Sequence, residues 1–406
     1  MIGQGETAGR AGRLLVVLGI VLLLTGCRKA VVDPTREQQA RVAAMLADPA
    51  LCSSGNSADV QAFVNAAGPD GVARIPAGCY RITQSIGVAA GKRVFGAGSD
   101  QTILYRDPEL ISNRDTPIFS VMGRSESLTQ VSGLAFVGVR DTSDKAEDYG
   151  ILLKNARTFR VDHCYFEGFG WAGVRTDGTS RGVVDHSIFV DNFKQGINNL
   201  GYGVVVYGTG QWSDDLGAGT EEAVFVEDNV FSGNRHAIAA SGGAHYVFRH
   251  NRVLRNVLAC SIDAHGVGWG WDVGTRYVEI YDNTIEDAVY RNCGIGIRGG
   301  DGVIFGNTVR GFAAPILLVL EWGTPESLKA IYPAEGQIRE LYVWDNSTGS
   351  GAAMPRLDPE AKGFIQPGRD YFTRPKPGYE PYVYPHPLVG GGSLDEGAPT
   401  PRASDK

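Results

Sequence analysis

The sequence predicts an all-β solenoid wound from short parallel strands, and three observations carry that prediction. Asn229 and Asn251 hold the same place in consecutive copies of one pattern, 22 residues apart, and Asn283, Asn307 and Asn346 continue the column, with Ser187 and Cys164 upstream. A second column follows a few residues later at Asn192, Asn234 and Asn256. The composition, with 55 Gly and only 4 Met, suits tight turns and thin strands rather than helices. A period of about 20 to 25 residues with alternating short strands is the signature of such a repeat. Asn recurs because each turn buries backbone groups, and stacked side-chain amides supply them with both donors and acceptors. These residues are read as a ladder.

Taken in order, the chain opens with Arg10 and Arg13 ahead of an apolar run from Leu14 to Leu24 that ends Leu24-Thr-Gly-Cys27. The run is too short for a transmembrane helix and fits a secretory signal. Its last four residues resemble a bacterial lipoprotein signal, which implies lipidation of Cys27 and a membrane-anchored protein of the bacterial cell envelope. In a Gram-negative cell, Arg28 after the Cys resembles the outer-membrane sorting pattern. Residues 1–27 are therefore expected to be signal and anchor, 28–58 a tether and cap region, 59–349 the solenoid, 350–390 a packing tail, and 391–406 disordered. A helix is expected from Arg36 to Leu46. A second, from Asp59 to Ala67 with Ser57 as N-cap, is expected to cover the first coil. The aromatic, Pro-rich tail is expected to pack across the last coils, with His386 structural.

The segment Asp59-Val-Gln-Ala-Phe-Val-Asn-Ala-Ala-Gly-Pro-Asp-Gly-Val-Ala-Arg-Ile-Pro-Ala-Gly-Cys-Tyr-Arg-Ile82, together with the repeats, resembles the right-handed parallel β-helix of the pectate lyase-like superfamily over roughly Val60 to Gly349. That resemblance implies a single-stranded right-handed parallel β-helix. It leaves the reaction open, since the superfamily includes lyases, hydrolases, esterases and adhesins.

From Gly150 onward one strand aligns through seven coils: Ile151–Lys154, Val174–Asp177, Val204–Tyr207, Ile238–Ser241, Ile262–His265, Ile295–Arg298 and Ile316–Val319. Alternation turns the first and third residues inward. Two outward columns result: Leu152, Arg175, Val205, Ala239, Asp263, Gly296, Leu317, and beside it Lys154, Asp177, Tyr207, Ser241, His265, Arg298, Val319. Insertions after three of these strands (208–222, 266–276 and 321–339) are expected to wall a groove over the columns. They carry Trp212, Trp269, Trp271 and Trp322, a candidate stacking surface for sugar rings, with Arg175 and Asp177 as further substrate contacts.

Net charge is −7, with no basic run after the signal, so nucleic acid is not an expected partner. An extracellular or periplasmic polysaccharide and the lipid membrane are, and a monomer is expected. No compact zinc spacing and no Gly-x-Ser-x-Gly elbow occurs. No cofactor is identified, and calcium assistance is left open. His163, His186 and His250 each precede a ladder position, which suggests a role in the turn. The densest chemistry is Arg235-His236, Asp263, His265 and Arg298, with Tyr207 two coils earlier. A uronate lyase needs a cation for the carboxylate, a base for the C5 proton and an acid for the leaving oxygen. Arg298 or Arg235, His265 and Tyr207 supply those groups, with Asp263 expected to hold the imidazole near a useful pKa. Elimination is the expected reaction; glycoside hydrolysis and non-catalytic binding are the alternatives. Replacing His265 or Arg298 is expected to leave melting unchanged. Cys260 and Cys293 hold equivalent places in adjacent coils, about 4.8 Å apart at strand spacing, and are expected to form a disulfide. Cys52 and Cys79 make a second candidate bridge, leaving Cys164 free.

Overall fold

The computed structural model describes residues 33, 35–48, 52, 55–67, 71–107, 116–139, 148–194, 200–213, 217–255, 258–268 and 272–390. The signal segment with Cys27, residues 391–406, Asn256, Trp269 and Trp271 lie outside them. Among the described residues the strands pair in parallel into sheets of 18 and 11 strands. The larger sheet bends round a corner: the strand Thr284–Ile297 pairs with Arg252–Leu254 near its start and with Cys260–Ala264 near its end. Each full coil therefore has three faces, and the fold is a right-handed parallel β-helix.

One face carries the predicted outward columns and is called here the groove face. Its strands include Asp148–Lys154, Ala172–Asp177, Tyr202–Tyr207, His236–Ser241 and Cys260–Ala264. The predicted register holds at each step, from Ile151↔Val174 through Val204, Ile238, Ile262 and Ile295 to Ile316. The core behind it contains a file of phenylalanines, Phe136, Phe166, Phe189 and Phe231, stacked with ring centroids 4.8–5.1 Å apart. That file dictates the glycines opposite. A Cβ on Gly150, Gly173 or Gly203 would lie 2.6–2.8 Å from a ring carbon of Phe166, Phe189 or Phe231. Two consecutive residues thus face inward at each coil (Ala237 and Ile238, for instance), so the residue before them faces out. Tyr149, Ala172, Tyr202, His236 and Cys260 accordingly form a third outward column that strict alternation did not reveal.

The Asn ladder is continuous. The Asn229 amide Nδ2 donates to Asn251 Oδ1 at 3.1 Å, and the same bond repeats from Asn251 to Asn283, Asn283 to Asn307 and Asn307 to Asn346. Upstream, Ser187 N donates to Asn229 Oδ1 and Cys164 N to Ser187 Oγ. In the second column Asn192 Nδ2 donates to Asn234 Oδ1 at 2.8 Å. His163, His186 and His250, like Asp228, Asp282 and Asp345, have φ between +47° and +57°. Their shared position is set by a left-handed turn residue placed just before each rung.

Helix α1, Thr35–Ala47, lies against a second face of the coils, where Val42 meets Cys79, Ile103, Ala135, Tyr165 and Val190 from successive coils. Helix α2, Ser57–Asn65, covers the first coil with Val60 and Val64 buried. Its N-cap is Asn56 and not Ser57. The Asn56 side chain accepts from Ala58 N, and Asp59 accepts from Asn56 N in return. Ser57 Oγ instead accepts from Thr83 N and Gln84 N of the coil beneath. Both disulfides form, Cys260–Cys293 with Cα atoms 4.5 Å apart and Cys52–Cys79 at 4.2 Å, and Cys164 is a buried free thiol.

The tail packs on the last coil, as expected, and then runs further than expected. After adding the strand Tyr371–Phe372 to the 11-stranded sheet, it turns back over that sheet, far beyond the last coils. Arg249 donates to the Tyr382 and Val383 carbonyls at 2.7 and 2.9 Å, His386 N donates to Glu227 at 2.8 Å, and Arg160 donates to the Val389 carbonyl at 3.0 Å. The reason is electrostatic: this tail face exposes charged outward columns, and the tail backbone completes their hydrogen bonds.

Candidate active-site cleft

The groove face holds a cleft of about 590 Å³, within the range of small-molecule sites. Its floor is Val205, Ala239 and Ser241, and Trp171, Tyr202, Tyr207, Leu258 and Trp322 rise around it. Arg235, His265, Arg298 and Glu321 supply its charge and proton-transfer groups. Trp322 is 57% exposed with Arg298 beneath it, guanidinium carbon 5.5 Å from the ring centroid. An exposed aromatic face above charged groups is a platform for a sugar ring.

Asp263, His265 and Arg298 converge as expected, and Glu321 joins them. Arg298 clamps Asp263 through Nε at 3.0 Å and through Nη2, and donates Nη1 to Glu321 at 2.9 Å. Its Nη2 also donates to His265 Nε2 at 2.8 Å. That leaves His265 Nδ1 as the protonated nitrogen, 3.9 Å from Glu321 Oε2. Glu321 is fixed by Gly266 N and Trp322 N, at 3.0 and 2.9 Å. His236 lies below, with Nε2 3.4 Å from Asp263 Oδ2.

These contacts overturn two expectations. Burial, reinforced by the Arg298 charge, pushes the His265 pKa down to about 3, outweighing the pull of Asp263. The ring is neutral at working pH, and its acceptor nitrogen already receives Arg298. Burial alone would raise the Asp263 carboxyl, but Arg298, His265 and His236 together hold it below the usual range. Second, Arg298 is no free surface cation. Asp263 and Glu321 are 4–5% exposed, so removing Arg298 would strand two buried carboxylates and lower stability.

Arg235 is different. Its Nη1 donates to Tyr202 Oη at 2.7 Å and its guanidinium stacks on the same ring, yet its Nε is buried without a hydrogen-bond partner. No carboxylate among the described residues pairs with it. Tyr202 in turn stacks on His236, centroids 5.6 Å apart, which aligns the pair in the third outward column. Burial raises the pKa values of Tyr202 and Tyr207, so both phenols stay protonated at rest.

Arg175 and Asp177 pair with each other through bonds of 2.7 and 2.9 Å, and Arg175 stacks against Tyr149, Trp171 and Tyr207. They buttress the wall of aromatics at one end. Trp212 stands apart, stacked between Arg276 and Arg339 at 4.2 and 4.9 Å, and does not line the cleft. Sequence reasoning missed Tyr202, Trp171 and Glu321. The first two flank the repeated Gly column, which was a usable signal; Glu321 opens an insertion, where the repeat gives no register. Among the described residues no group of three or more His, Cys, Asp or Glu is arranged to hold a metal ion.

The chain matches no protein-family model and no curated protein sequence. It is similar to the A-module of the Azotobacter vinelandii mannuronan C-5 epimerase AlgE4, at 14% identity over 75% of this chain and 80% of that one, TM-score 0.43. A GH87 α-1,3-glucanase catalytic unit from Streptomyces thermodiastaticus strain HF3-3 is also 14% identical, over 82% of this chain and 70% of its own, TM-score 0.43. A mannuronic acid-specific polysaccharide family 6 lyase from human gut microbiota is 16% identical over 74% and 77%, TM-score 0.38. The likeness is one of fold, a parallel β-helix.

Proposed function

We propose that the groove-face cleft binds an acidic polysaccharide and cleaves it by elimination next to a uronate. Arg235 carries this reading: a guanidinium in a sugar-sized cleft, with no carboxylate partner among the described residues and an unused buried donor. It takes the substrate carboxylate. The proton to be removed sits on the carbon bearing that carboxylate, so the base must stand beside the group that holds it. Tyr202 does, at 2.7 Å from Arg235. Its phenol first releases to solvent the proton that burial holds on it, a loss the Arg235 charge favours, and the phenolate then accepts the substrate proton. The guanidinium stabilises the negative charge that develops as the proton leaves. Tyr207, whose phenol is kept protonated by burial, donates to the departing oxygen. Trp322 and Trp171 stack against the flanking rings, and the Asp263–Arg298–Glu321 network holds the floor rigid. Mixing purified protein with a polyuronate tests the reading. Elimination yields an unsaturated end that absorbs in the ultraviolet; reducing ends without that absorbance would mean hydrolysis, and neither signal would mean binding alone.

One observation favours a hydrolase. Asp263 and Glu321 flank one arginine with their carboxyl pKa values pushed apart, Asp263 down and Glu321 up through burial. Both carboxylates are already bonded to Arg298, and Glu321 also to two backbone amides, so elimination remains the better fit. We further propose that Cys27 anchors the protein to a bacterial envelope membrane, on the strength of Leu24-Thr-Gly-Cys27. An unchanged membrane fraction after Cys27→Ala, with no acyl label on the native protein, would refute the anchor.

A further inference from the structure

A second cavity lies at the corner where the groove face turns into the tail face, beneath the chain segment Gly208–Ser213. It encloses about 270 Å³, roughly the room of nine waters at ~30 Å³ each, and just under the ~300 Å³ at which drug-sized sites begin. Two buried polar side chains on its lining lack partners. Thr176 sits in the inward column between Leu153 and Val206, where an apolar residue is the rule, and its Oγ1 has no hydrogen bond. His245 uses Nε2 on Glu279 at 2.8 Å and leaves Nδ1 buried and unbonded. Both residues are more than nine-tenths buried. Arg181 and Arg276 also line the space, and no carboxylate does among the described residues. Arg276 is paired with Asp301 at 2.7 Å, whereas Arg181, 3.5 Å from Glu222, keeps its Nε buried without a hydrogen bond.

We propose that this cavity binds a single sugar acid, a uronate monosaccharide. Its hydroxyls would complete Thr176 and His245, and its carboxylate would meet the arginine side. An apolar occupant would leave both buried groups unpaired, and a neutral sugar would bring no anion to the unbonded Nε of Arg181. Tyr207 lines both this cavity and the cleft, so the two sites share a wall. The inference stands on the cavity's own residues and does not require the cleft to be catalytic.

Calorimetric titration with D-glucuronate, and with glucose and acetate as controls, tests it on the native protein and on three variants. Glucuronate should bind saturably to the native protein, and saturable binding should persist in Arg235→Ala, where the cleft has lost its own carboxylate contact. Thr176→Val should weaken it about tenfold or more while melting no lower than the native protein, because valine continues the apolar column. His245→Gln should weaken it as well. The proposal is overturned if glucuronate does not bind, if glucose binds equally well, or if binding survives Thr176→Val and His245→Gln but vanishes in Arg235→Ala, which would place it in the cleft.

Discussion

The tail face and the groove face are built by the same device, charged side chains stacked in register on outward columns, yet they end differently. On the tail face Arg249 is fully buried and makes four side-chain hydrogen bonds: to Glu227 through Nε, to Tyr281 and the Tyr382 carbonyl through Nη1, and to the Val383 carbonyl through Nη2, which also lies 2.6 Å from Glu227. On the groove face Arg235 makes one side-chain hydrogen bond, to Tyr202, beside an open cleft. Arg298 lies in that cleft but belongs with Arg249, since Asp263, Glu321 and His265 take its donors. Location in a groove is thus a weaker sign of function than hydrogen-bonding capacity left unused.

The largest effects are expected at the saturated arginines. Arg249→Met and Arg298→Ala should each lower unfolding free energy by about 3–5 kcal/mol, because buried carboxylates lose their partner. Denaturant titration checks this, and a loss under 1 kcal/mol for either would dissolve the contrast with Arg235. A smaller effect is expected in the ladder they frame. Asn283→Ala leaves neighbouring rungs unbonded and should cost about 1–3 kcal/mol, read in the same titration.

Acidification gives a third contrast. Burial lowers the pKa values of His236 and His265 to about 3 and of His386, under the tail, to about 4. Their unfolded forms take up protons near 6.5 while the folded forms do not, so stability falls as pH drops from about 6.5 towards 3. His386→Phe should flatten the upper part of that decline; an unchanged pH profile of melting would contradict it. The smallest effect is expected at His265, whose acceptor nitrogen is already occupied. His265→Ala should slow turnover less than about tenfold, and a loss of ~10² or more would return the base to the imidazole.

Much of this architecture was readable in the sequence because periodicity encodes register. The seven aligned strands, the rungs from Asn229 to Asn346 and the Cys260–Cys293 bridge follow once each coil is laid on the next. The site was only partly readable. His265, Asp263 and Arg298 fall in the repeat and were found, but the network that saturates Arg298 is completed by Glu321, which a loop of its own length delivers. Tyr202 was hidden by the assumption of strict alternation. The phenylalanine file forces Gly203 and Val204 to face inward together, and this shifts Tyr202 outward. The tail's course could not be derived from its composition, since it follows the charges of Arg160, Glu227 and Arg249 on distant coils.

The unused hydrogen-bonding capacity of Arg235 distinguishes the cleft, and one binding measurement addresses it directly. Affinity for a polyuronate and for a neutral glucan of equal length would be compared between the native protein and Arg235→Gln, with melting recorded for both. The native protein should prefer the polyuronate, and the substitution should weaken that binding about tenfold or more, at unchanged melting temperature and without affecting the neutral glucan. Equal polyuronate affinity in the native and Arg235→Gln proteins would contradict the assignment of the cleft.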